Sequence, residues 1–139
     1  MTTWTEAAGY AAVDDRAAGR CEVTGLPGTL IHHHRIRRSH GPLHAPWNLI
    51  GLRPEVHDWI HGHPDAARLG GWMLHSGEDP EQIPVWLSLT HGWPGWWILA
   101  PAADGPHLAV PVDPAEFGLL PVPLMFPPGS TDASGLRFP

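Results

Sequence analysis

A pair of histidines on one side of a helix, with a histidine run upstream, sets the strongest constraint on how this chain can fold. The run is His32-His33-His34-Arg35, and the pair is His57 and His61, just after Pro54. Pro suits the first helical turn, where its missing N–H leaves no hydrogen bond unmade. A helix from Pro54 to Gly62 therefore puts His57 and His61, four apart, on the same face. Two imidazoles can chelate one divalent ion, but a useful site needs a third ligand from another element. Thr29-Leu30-Ile31-His32-His33 reads as a strand rich in branched residues. Neighbouring strand side chains diverge, so of His33 and His34 one can bind the ion and the other can face a reacting water. A neutral imidazole suits a general base near pH 7.

Composition narrows the classes. A chain of 139 residues is expected to form one domain. No run of apolar residues is long enough for a membrane span, and Met1-Thr2-Thr3-Trp4-Thr5-Glu6 lacks the pattern of a secretory signal. Cys21 is the only cysteine, which excludes an internal disulfide and fits a reducing cytoplasm. The net charge of −6 argues against a surface that binds nucleic acid everywhere. All eight basic residues are arginine, and Arg35, Arg37 and Arg38 follow the histidine run as a local cationic patch.

Along the chain, the Ala-rich stretch 5–19 predicts a short helix. Thr24 to Gly28 predicts a turn, Ser39 to Pro46 a loop, and Asn48 to Leu52 a second strand. Val56 and Ile60 should bury one side of the histidine helix, and Pro64 to Leu69 should form another, closed by Gly70-Gly71. Trp72 to Leu74, Pro84 to Leu89, Trp96 to Leu99 and His107 to Val110 read as short strands. The stretch from Phe126 onward is expected to wander or fray. His40, His44 and His63 read first as loop residues, while His75, His91 and His107 carry no particular signal.

From Arg16 to Leu74, a little under half its length, the chain resembles the compact phage and actinobacterial HNH endonucleases. Gly19-Arg20-Cys21-Glu22-Val23-Thr24-Gly25 is similar to the opening of that family. His33-His34-Arg35 is similar to its His-His-Arg, and Asn48-Leu49-Ile50 to its Asn-Leu-hydrophobic strand. Val56-His57-Asp58-Trp59-Ile60-His61, followed by Pro64-Asp65-Ala66-Ala67, is similar to its histidine helix. The resemblance implies an α+β fold with a ββα-metal (His-Me finger) core over 21–75. An N-terminal segment over 1–20 would precede it. A small tryptophan-rich β extension over 76–125 would pack on the core, and 126–139 would form an irregular tail. It implies His33, His57 and His61 as ligands of one divalent ion (Mg, Mn, Ni or Zn) and His34 as general base. Asn48 would fix the base, and Arg35, Arg37 and Arg38 would grip DNA phosphates. A shift by one, with His32 as ligand and His33 as base, is the alternative; Arg35 favours the first pairing. The implied partners are DNA and, for phage relatives, the packaging terminase, with no membrane.

The chain departs from the family at the structural zinc. Thr24, Arg53 and Val56 stand where three of four cysteines would be, with Cys21 as the fourth. One thiolate cannot make a tetrahedral Zn–S site, so no structural zinc is expected. Trp47, Trp59, Trp72 and the C-terminal tryptophans should supply the missing packing. Two readings stay open: a metal-dependent endonuclease, and a degenerate module of the same fold that binds nucleic acid or a protein. A toxin-type nuclease with its own delivery region is disfavoured by chain length.

Overall fold

The computed structural model describes residues 4–38, 43–89, 94–101 and 109–131. Its first helix, α1 (Glu6–Ala17), begins where the Thr5 hydroxyl accepts the Ala8 N–H at 3.1 Å. It ends at Ala18, whose left-handed backbone (φ 52°) turns its N–H back to the Asp14 carbonyl. Gly9, Val13 and Ala17 are its buried residues. A Cβ on Gly9 would overlap the His44 carbonyl oxygen, so only glycine permits this approach. The Arg16 guanidinium makes a paired contact with the Glu22 carboxylate at 2.7 and 2.9 Å and also donates to the carbonyls of Pro46 and Leu49. Glu22 further accepts the Gly51 N–H. A buried ion pair is tolerable only when its other hydrogen-bonding positions are filled in this way. The N-terminal segment is therefore built into the core rather than appended to it.

Strands β1 (Ile31–His34) and β2 (Leu49–Leu52) pair antiparallel, with His33 opposite Ile50 and His34 opposite Leu49. Helix α2 (Pro54–Gly62) follows with Pro at its start, and α3 (Pro64–Leu69) begins after His63 in the same way. Val56 and Ile60 are fully buried, as their spacing requires; each stabilises the fold by roughly 1.5–3 kcal/mol. Their burial leaves the His57–His61 side of α2 turned towards β1.

A second sheet consists of β3 (Val85–Leu87), β4 (Gly95–Ile98) and β5 (Val110–Pro111), in that order and antiparallel. Its residues join those of the first sheet in one apolar cluster. Val23, Leu52, Val56, Ile60 and Trp72 lie with Val85, Trp86, Leu87 and Leu99. Backbone bonds also cross: Ser88 N–H donates to Glu22 and Trp86 N–H to Gly70. The described residues thus form an α+β arrangement with three helices and two small antiparallel sheets. Among them, no helix is long and apolar enough to cross a membrane.

Two sequence expectations need correction. Residues 72–74 are not a strand. Their polar groups go to scattered partners: Trp72 N–H to Ala67, Leu74 N–H to Arg35, and the Trp72 carbonyl to a histidine ring. The stretch 126–131 does not wander. Phe126 lies edge-on to Trp86 at 5.9 Å, Ser130 is fully buried, and Gly129 (φ 85°) turns the chain beside Leu26. His40, His91 and His107, the start of the expected 107–110 strand, and 132–139 lie outside the described residues.

Candidate metal centre

Antiparallel pairing with β2 holds β1 against α2, and this brings three imidazoles together. One nitrogen from each of His33, His57 and His61 lies within 4.8 Å of the others. The His33 ring is 5.5 Å from each helix ring, and the two helix rings are 4.4 Å apart. His33 is buried, His57 half-buried and His61 exposed, so the cluster opens to solvent on one side.

The tautomer of His33 follows from its partner. Its Nε2 stands 2.7 Å from the Trp72 carbonyl, which can only accept. Nε2 therefore carries the proton, and Nδ1 keeps a lone pair for a ligand. A ligating histidine tied through its other nitrogen to a carbonyl is the usual arrangement at metal sites. Burial, with His57 and His61 adding to it, lowers the His33 pKa to about 3 despite the Trp72 bond, so the ring is neutral at pH 7. His61 is also lowered, first by burial and then by His57 and Arg37. Convergent imidazoles of this kind fit a divalent ion. The three histidines could therefore hold a metal; its identity is not fixed by the donors.

No family model, curated protein or solved structure matches the chain.

Beside the cluster is a cavity of about 420 Å³ lined by Tyr10, His32, His34, Arg37, Arg38 and the three histidines. Strand alternation turns His32 and His34 to the side opposite His33. Tyr10 from α1 stacks on His32 with centroids 4.0 Å apart and meets His34 edge-on at 6.3 Å. His32 Nε2 is 2.7 Å from the Asp14 carboxylate, which holds that ring away from the ligand role. His34 Nε2 is 3.3 Å from His44 Nδ1, and His44 Nε2 is 4.0 Å from Glu6. Burial, then Arg38 and His44, lowers the His34 pKa to about 4.

Asn48 makes no hydrogen bond to the His34 ring among the described residues. It is fully buried; its Oδ1 accepts the Ile36 N–H at 2.9 Å and its Nδ2 donates to Leu43 at 3.0 Å. Asn48 thus fastens the chain that leaves β1, and the group against His34 is His44. Arg35 cannot grip DNA, because it is fully buried. Its guanidinium donates to the carbonyls of Gly71, Trp47, Pro80 and Ile83 at 2.8–3.0 Å. Burial pushes it down to about 9, which leaves it charged at neutral pH. Arg37 and Arg38 do face the cavity, although Arg38 is paired with Glu6 at 3.0 Å. His63 stacks on Trp59 and bonds its carbonyl, a local role.

Sequence reasoning missed Tyr10, His44, Asp14 and the Trp72 carbonyl. The i, i+4 spacing of Tyr10 and Asp14 on one helix face was the available signal for that pair. A backbone carbonyl leaves no such signal in the sequence.

Proposed function

We propose that this chain is a metal-dependent endonuclease of the HNH type, in which β1, β2 and α2 form a ββα-metal unit. The single observation that carries this reading is the convergence of His33, His57 and His61 beside a fourth imidazole outside the cluster, His34, in one open cavity. An ion held by the three histidines would bind a phosphate oxygen and stabilise the charge that grows on the leaving 3′ oxygen. His34 takes the proton of the attacking water on Nδ1, because Nε2 is engaged with His44. The Nε2 proton can then pass to His44 and towards Glu6, which leaves His34 neutral again. A pKa near 4 keeps His34 unprotonated at pH 7, the form a base requires. Arg37 and Arg38 meet the phosphates on either side of the scissile bond.

The test is supercoiled plasmid incubated with the protein and each divalent cation in turn, with a chelator as control. Wild type should nick. His34→Ala should lose at least about 100-fold in rate while its thermal unfolding and metal affinity stay as in wild type. Unchanged nicking by His34→Ala would remove the assigned base.

A binding-only module is the second reading. It draws support from the exposed Leu120, Leu124 and Met125, a surface suited to a protein partner, and from the Glu6 carboxylate that offsets Arg38. Metal-independent DNA binding without any cutting would favour it. A terminase as partner remains an expectation of the resemblance.

A further inference from the structure

A second polar pocket of about 310 Å³ lies next to the metal centre, lined by Arg37, Arg68, Met73, Leu74, His75 and Ser76. Arg37 lines both cavities and so borders each of them. It lies close enough to His61 to lower that ring's pKa. Arg68 comes from the last turn of α3, and its Nε is buried with no hydrogen-bond partner among the described residues. Its only ion pair there is a 3.5 Å contact from Nη1 to Asp65, a fully exposed neighbour on the same helix. Such a contact contributes little. The nearby carboxylate of Glu78 is already engaged, since it accepts the His75 N–H at 2.8 Å. The Arg68 side chain is about one-third exposed at 34%, and its Nη2 makes no hydrogen bond among the described residues, so an anion in this pocket can accept from it.

We propose that Arg37, Arg68 and His75 form a phosphodiester clamp for a DNA phosphate next to the one at the metal centre. This rests on the nuclease reading and extends it: the strand would run from the histidine cavity past Arg37 to Arg68. Paired N–H groups of a guanidinium match two phosphate oxygens, and Ser76 can add a hydroxyl. Met73 and Leu74 are buried and form the pocket floor.

The experiment is fluorescence anisotropy of a short labelled duplex, with chelator present to prevent cutting, over a salt series. Arg68→Gln should weaken binding about tenfold. It should also reduce the slope of log K against log salt by about 0.9, one phosphate contact. Arg68→Lys should keep the slope. Thermal unfolding and Zn²⁺ affinity should not change. If Arg68→Gln fails to fold, His75→Ala carries the affinity test, because His75 is exposed and lines this pocket but not the histidine cavity. Wild-type affinity and slope in the folded variant would overturn the clamp while plasmid nicking by wild type leaves the nuclease reading intact. A wild type that neither nicks nor binds duplex overturns both. Inorganic phosphate that saturates Arg68 in ³¹P titration without displacing duplex would assign the pocket to a small anion and overturn the phosphodiester assignment.

Discussion

Around the histidines, the buried side chains include many polar ones: Arg16, Glu22, His33, Arg35 and Asn48. Each is matched to particular backbone groups or to the other. In the β3–β5 sheet they are mainly Val85, Trp86, Leu87, Trp96 and Trp97, which meet by area and shape. Trp86 and Trp96 face each other across the strands, edge to face at 5.6 Å. Apolar packing tolerates small readjustments at modest cost. A buried charge held by carbonyls does not, since loss of either side leaves an unsatisfied group. The site-bearing region is therefore positioned by a few directional contacts, and the β3–β5 region supplies bulk behind it.

The largest test of this contrast is Arg35→Met. It leaves four carbonyls without their donor and should destabilise the fold by about 3–5 kcal/mol in denaturant unfolding. Arg38→Ala, three residues further on and exposed, should stay within about 0.5 kcal/mol of wild type. Equal unfolding midpoints for the two variants would break the comparison.

Next is pH. The unfolded chain protonates His33 near its ordinary value of 6.5, whereas the folded chain does so only near 3. The stability that depends on a neutral His33 is fully present above 6.5 and is lost as pH falls towards 3. Between pH 7 and pH 4 this amounts to about 3 kcal/mol. His61, also lowered, acts in the same direction. Urea melts of metal-free protein across this range should show the loss, and His33→Ala should flatten it. A pH-independent wild type would count against the buried, neutral ring.

A smaller effect than that of Arg35→Met should come from the packed side. Trp72→Phe keeps most of the apolar area but removes the indole N–H that donates to the Trp86 carbonyl at 2.7 Å. About 1–2 kcal/mol should be lost, measured as a shift in unfolding midpoint with unchanged m-value. A loss as large as that of Arg35→Met would erase the distinction between the two regions.

What the sequence disclosed and what it concealed divide along the same line. The Ala run, the branched residues before His33, and Pro54 and Pro64 are local signals, and α1, β1, β2, α2 and α3 follow them within a few residues. The meeting of His33, His57 and His61 was readable because spacing on a strand and a helix limits where each ring can point. The use of Arg35 was not readable. Its acceptors Gly71, Pro80 and Ile83 lie far along the chain, and arginine beside a histidine run looks the same whether it faces DNA or carbonyls. Asn48 was placed in the right neighbourhood, but its partners are backbone groups at Ile36 and Leu43, which no residue type announces. The strand expected at Trp72 failed because Gly71 (φ 76°) packs where a Cβ would overlap the Pro84 carbonyl, and among the described residues no ladder partner lies alongside.

Trp72 is a hinge-pin between the two regions: its carbonyl grips the His33 ring and its indole is anchored on β3. The rotation of a ligand ring near the start of the chain is thus governed from residue 86. A shortened protein ending after α3 would keep every proposed ligand in its sequence and still lack the stop that aims one of them.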